Sequence, residues 1–170
     1  MNAEQLRAMQ APIKQRYRDD PATARVTSHA EGILEPGDIA CTVRAWHGEV
    51  TAGLHPAGGG SGELACSADM LLEALVACAG VTLRAVATAM GVTITGGRIV
   101  AEGVWDARGT LGVDRAAPIG LTEISLRFEV ESDADAAKLE RMVQTTERYC
   151  VILQTLKAPP KVSVAVAAAS

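Results

Sequence analysis

Four cysteines in 170 residues carry most of the chemistry this chain can do. Two of them stand in its strongest helical runs. Cys78 lies twelfth in a stretch that opens at Ser67 and closes at Gly80, and Cys150 lies in the stretch from Thr146 to Leu156. Neither belongs to a CxxC pair. A buried free thiol is most simply a small core hydrophobe. As a nucleophile it needs a cation or free backbone N–H groups to favour the thiolate. Cys78 falls about three turns into its helix, too deep for the helix terminus to help, so any cation must come from elsewhere in the fold. If the two helices cross with their Cα atoms within about 4.4–6.8 Å, the pair can cycle between dithiol and disulfide. Cys66, at the start of the Cys78 helix, is placed where backbone amides favour a thiolate; it reads as an accessory thiol or as a bystander. Cys41 alternates with Ile39 and Val43 and reads as a strand core residue.

Other chemistries find no support. His29, His47 and His55 fall in turns or loops with no HxH, HxxxH or HExxH spacing, so no metal site is expected. The run Gly58-Gly59-Gly60-Ser61-Gly62 is followed by no GK[ST] and framed by no βαβ unit, so it reads as a hinge rather than a phosphate loop. No GxSxG elbow is present, and no cofactor is implied.

The elements that must position the thiols follow from periodicity. Residues 3–18 pattern as a short amphipathic helix interrupted at Pro12. Ile39 to Trp46 alternates with period two, His47-Gly48 reads as a turn, and Glu49 to Leu54 as the returning strand of a hairpin. A long helix begins with Ser67 as N-cap and Asp69 in its first turn, and stops at Gly91. Strands are expected at 98–106 and 121–131, with a turn-rich link between them. A second helix opens at Asp133 and ends before Pro159-Pro160, with an apolar stripe of Leu139, Met142, Val143, Thr146, Tyr149 or Cys150, Leu153 and Leu156. Lys161 to Ala168 alternates as a closing strand. The order predicts an α+β fold with antiparallel sheet against two long central helices.

Composition narrows the class. The chain is 48% hydrophobic and 21% charged, suited to one globular domain. With two Trp, two Tyr and one Phe, its core must be aliphatic. A net charge of −4 without a basic patch argues against nucleic-acid binding. The charged first twenty residues lack the apolar segment of a secretory signal. Met70 to Met90 is long enough to span a bilayer, but Glu73 and Arg84 interrupt it, and a helix buried on most sides within a protein is the better expectation. Four cysteines without a tight framework point to the cytoplasm.

The run from Ser67 to Gly80 resembles the first-cysteine helix of the OsmC/Ohr family, the osmotically induced and organic-hydroperoxide-resistance proteins. Glu147-Arg148-Tyr149-Cys150-Val151-Ile152 resembles the second-cysteine helix of that family. The resemblance spans roughly residues 25–168. It implies a single OsmC-like domain over 25–170, preceded by an N-terminal helical extension over 1–24, and an intertwined homodimer. It further implies that Cys78 is the peroxidatic nucleophile toward alkyl or lipid hydroperoxides, that Cys150 resolves its sulfenic acid, and that a dithiol of lipoyl or thioredoxin-like type restores the pair. The chain departs from the pattern in two places. Ala68 stands where the family has a glutamate ten residues before the first cysteine, which leaves Asp69, the nearest acid, as the candidate catalytic carboxylate in its place. No arginine occurs in Glu31–Asp38, the loop where one is expected, although Arg16, Arg18, Arg25 and Arg44 flank it. These departures mark a divergent OsmC-like branch. They keep open a non-enzymatic dimer that binds a small apolar ligand in its interface cleft, and a structural dimer whose cysteines merely fill the core.

Overall fold

A computed structural model describes residues 1–34, 36–45 and 48–167. Trp46 and His47, expected to end the first hairpin strand and to turn it, and Ala168 at the end of the tail lie outside the described residues.

The first helix, α1 (Ala3–Asp19), is closed at its N-terminus by a capping box in which Asn2 and Gln5 exchange side-chain-to-backbone bonds of 2.9 Å each. It does not break at Pro12. The carbonyl that loses its donor belongs to exposed Ala8, where water can replace the missing N–H. A 3-10 turn, Pro21–Ala24, follows. A four-stranded sheet then forms from β1 (Glu31–Ile33), β2 (Ala40–Ala45), β3 (Gly48–Gly53) and β4 (Ala65–Cys66) in that spatial order. The expected hairpin is β2–β3, with Cys41 opposite Ala52 and Val43 opposite Val50. β1 occupies part of the stretch expected to be loop. β4 joins β3 in parallel and leads directly into the long helix.

That helix, α2 (Ser67–Met90), has Cys66 rather than Ser67 as its N-cap, with no side-chain cap bond; Gly91 ends it in the left-handed conformation at φ 63°. The hairpin β5 (Ile94–Trp105) and β6 (Leu121–Ser132) forms a second sheet, pairing Ile94 with Ser132 at one end and Trp105 with Leu121 at the other. Between these strands lies a single short turn of helix, α3 (Ala107–Thr110). Asp133 does not open the second helix. It ties the sheet end instead, its carboxylate accepting the Thr93 N–H at 2.9 Å and its own N–H donating to the Thr93 carbonyl at 3.2 Å.

Asp135 caps the next helix, accepting the Lys138 N–H at 2.8 Å. The single helix expected here is two: α4 (Ala136–Tyr149) and α5 (Val151–Lys157), with Cys150 between them in an extended conformation, φ −73° and ψ 107°. Where the closing strand is expected, residues 161–167 form no strand with any of the described residues, and Val162, Val164 and Val166 are exposed. The core has two lobes along α2. One gathers Leu83, Val86, Ala87, Val92 and Met142; the other gathers Leu75, Ala79 and Cys150, with Cys78 packed against it. Burial of α2 is less than the sequence suggests. Only 28% of its most apolar eighteen-residue window is buried, and Val81 is 74% exposed.

Candidate functional site

The break at Cys150 builds the site. A continuous helix would pair the N–H groups of Val151, Ile152 and Leu153 with the carbonyls of Glu147, Arg148 and Tyr149. The last bond of α4 is instead Cys150 N–H to Thr146 O at 2.9 Å, and the first of α5 is Gln154 N–H to Cys150 O at 2.9 Å. The three intervening amides therefore lack intrahelical acceptors, as at any helix start. The Glu147 carbonyl, freed by the same break, accepts the Gln154 side-chain amide at 2.8 Å, while Lys157 Nζ meets the Glu147 carboxylate at 3.1 Å. Two side chains thus splint the discontinuity.

The freed amides face thiols. Cys150 is fully buried, and Cys78 packs against it from α2, with Leu75, Ala79, Leu126, Phe128 and Leu153 around the pair. Burial pushes the Cys78 thiol up, but the combined donors outweigh it. The Ile152 amide, the Cys150 thiol, the Val151 amide and the Thr82 hydroxyl one helical turn along together hold Cys78 below its ordinary value. Cys150 moves the other way. Burial pushes it up, the Leu153 amide opposes this, and the neighbouring Cys78 sulfur, by hydrogen bond and charge, adds to the rise. The two thiols are thereby shifted in opposite directions, Cys78 toward the thiolate and Cys150 toward the protonated thiol.

Asp69 is not brought to this pair. It lies nine residues before Cys78, which at 100° per residue is the opposite side of α2 and about 13.5 Å along the axis. It is exposed and lines a shallow groove with Glu73, Val76 and Ala101. Three of the flanking arginines are engaged elsewhere: Arg44 pairs with Glu49 at 2.8 Å, Arg18 donates to Gln15 Oε1 at 2.6 Å, and the Arg16 guanidinium lies 5.4 Å from the centre of the Tyr17 ring. The groups that lower Cys78 are all uncharged hydrogen-bond donors, so the cation sought from the sequence is replaced within one copy by backbone amides. No sequence signal marked those amides, because neither Gly nor Pro stands at the break.

Cys66 is half-buried and lines a largely apolar groove of about 560 Å³ with Leu54, His55, Leu71, Trp105 and Leu156. Leu156 lines this groove and also packs against the thiol cluster, and Leu71 lies two turns before Cys78 on α2, so the two share a wall. His55 serves the loop, its Nδ1 accepting the Ala57 N–H at 3.0 Å and its ring meeting Trp105 edge-on at 5.4 Å. Cys41 is half-buried beside Gly32, where a Cβ would stand 2.8 Å from its sulfur. Among the described residues no group of three His, Cys, Asp or Glu is arranged to hold a metal ion.

Comparison with known proteins identifies the family and the fold. The family model described as OsmC-like protein matches residues 60–165. The structure is similar to that of an OsmC-like protein from Mycoplasma pneumoniae, at 21% identity, a TM-score of 0.66 and coverage of 79% of this chain and 89% of that one. An OsmC-like protein of unknown function from Vibrio cholerae is similar at 14% identity and a TM-score of 0.64, covering 77% and 94%. An organic hydroperoxide resistance protein OsmC from Legionella pneumophila is similar at 15% identity and a TM-score of 0.61, covering 78% and 90%. No curated protein matches the sequence.

Proposed function

The chain belongs to the OsmC-like protein family, and we propose from that premise that it is a thiol peroxidase for organic hydroperoxides. The observation that carries the reading is the polarised pair at the helix break, a lowered Cys78 against a raised, buried Cys150. In the first step the Cys78 thiolate attacks the terminal peroxide oxygen. The O–O bond breaks, the alkoxide leaves as an alcohol after taking a proton, and Cys78 becomes a sulfenic acid. The Cys150 thiol then attacks that sulfur and expels water, forming a disulfide. An external dithiol, of lipoyl or thioredoxin-like type, returns both thiols and is itself oxidised. The apolar groove that shares a wall with the pair favours alkyl or lipid hydroperoxides over hydrogen peroxide. Cytoplasmic location goes with this chemistry, since the cycle needs a reducing compartment.

A homodimer is part of the same reading. Support comes from the exposed apolar surface of α2 and from the unpaired tail at 161–167, whose valines alternate as in a half-buried strand. In such a dimer the partner's surface would cover the Cys78 flank of α2 and supply whatever charge the site lacks.

The decisive experiment is intact mass with peptide mapping of the reduced protein after one equivalent of cumene hydroperoxide. Rapid loss of two hydrogens, mapped to a Cys78–Cys150 bridge, supports the cycle. Cys78→Ser should lose peroxide consumption altogether, whereas Cys150→Ser should stop at a trappable sulfenic acid. Unchanged consumption in Cys78→Ser sinks the mechanism and leaves the ligand-binding dimer as the better reading.

A further inference from the structure

On the side of α2 turned away from Cys78 lies a groove of about 350 Å³ that the thiol chemistry does not use. Its α2 wall is Val76, Gly80, Leu83 and Arg84, which stand about 140–240° around the helix from Cys78. Ile94, Ile99 and Val130 of the β5–β6 hairpin complete an apolar floor. Two features open it. Gly80 stands in mid-helix, where glycine weakens a helix relative to alanine, yet a Cβ there would lie 3.6 Å from Ile99 Cδ1, an ordinary contact. Packing within one copy therefore does not require the glycine, and its missing side chain leaves room in the groove. On the facing strand a bulge at Thr95 interrupts the ladder, since Ile94 pairs with Ser132 and Gly96 with Glu131. Gly97 follows at φ 131°, where a Cβ would collide with the Glu129 carbonyl.

The rim of this groove is positive in a chain of net charge −4. Glu129 is the one carboxylate among the lining residues, and it is already held by Arg98 at 2.5 Å and Arg127 at 3.0 Å. Arg84 is differently placed. Its Nη1 donates to the Ile94 carbonyl beside the bulge at 3.1 Å, which anchors the guanidinium at the groove wall. Among the described residues it pairs with no carboxylate. An anchored guanidinium with donors to spare, beside an apolar floor, matches a carboxylate that carries a hydrocarbon body. We propose that the groove binds a small aliphatic carboxylate, with its charged end on Arg84 and its chain along Val76, Gly80 and Ile99. The volume lies at the lower end of the range for small-molecule sites, about 300–1,000 Å³. The site uses neither cysteine and is independent of the peroxidase reading.

The test is titration calorimetry of the full chain with octanoate and, in parallel, with 1-octanol, which has the same chain length without the charge. Octanoate should bind, and 1-octanol should bind on the order of tenfold more weakly. Arg84→Gln, at an exposed position, should weaken octanoate on the order of tenfold and leave 1-octanol unchanged. Gly80→Leu, which fills the groove, should weaken both ligands, with far-UV circular dichroism to confirm that it is folded. Should it unfold, Gly80→Ala replaces it, and both ligands should weaken several-fold. Cys78→Ser should leave both affinities unchanged. Octanoate binding that survives Arg84→Gln overturns the proposal, and binding lost in Cys78→Ser overturns it by moving the ligand to the thiol site. Absence of octanoate binding overturns it outright. If Gly80→Leu then weakens self-association in sedimentation, a second copy covers the groove instead.

Discussion

Thr82 is the one side chain other than a cysteine that helps to hold the Cys78 thiol below its ordinary value; the remaining donors are backbone amides. Its removal therefore isolates what a single hydroxyl contributes without disturbing the fold. In Thr82→Val burial continues to push Cys78 up while one opposing donor is gone, so the thiolate forms at higher pH. Single-turnover peroxide reduction should rise with pH through the Cys78 titration, and the variant's profile should be displaced upward with its high-pH plateau nearly unchanged. A profile that does not move would place the hydroxyl outside the thiolate's stabilisation. Part of this site was legible from the chain. The two cysteines stood out by residue type and by their helical runs, and helical spacing puts Thr82 on the Cys78 face, although nothing in that spacing marks its hydroxyl as a donor to the thiol. Asp69 drew notice only as the nearest acid to an empty position, and its place on the far side of α2 follows from helical geometry alone.

Among the elements, the division between α4 and α5 is what turns two core cysteines into a polarised pair. It was hidden because the apolar stripe from Leu139 to Leu156 keeps helical spacing across the break. The discontinuity is instead maintained by tertiary packing and by the bond from the Gln154 amide to the Glu147 carbonyl. Gln154→Ala leaves that carbonyl to water and should cost about 0.5–1 kcal/mol in urea unfolding. It should also slow disulfide formation after peroxide addition, since the amides facing the thiols are less firmly held. Unchanged stability together with unchanged rate would show that packing alone keeps the break. The long hairpin β5–β6, by contrast, was legible to within a few residues, because period-two alternation and the turn residues between the strands agree with each other. The short partners β1 and β4 were not, since three and two residues carry too little pattern.

For the molecule as a whole, the surface left over is as informative as the core. The tail beyond Pro160 reads as a strand by alternation, yet residues 161–167 form no strand and leave Val162, Val164 and Val166 exposed. A strand of this kind is stable only on a sheet edge, and a second copy supplies one under the dimer reading. A chain ending at Pro160 should therefore sediment as a monomer at concentrations where the full chain is dimeric. A truncated chain that remains dimeric would assign the interface to α2 alone. The break at Cys150 also bears on how many times the protein can work. Were the resolving sulfur inside a helical turn, drawing it toward Cys78 would melt that turn, and each return to the dithiol would have to nucleate it again. Cys150 stands outside both helices as the cap they share, its N–H donating to the Thr146 carbonyl and its own carbonyl accepting the Gln154 N–H, so under the proposed cycle no helical turn contains the sulfur that moves. Under the proposed cycle the pair can pass between dithiol and disulfide without a helical turn having to form again around Cys150.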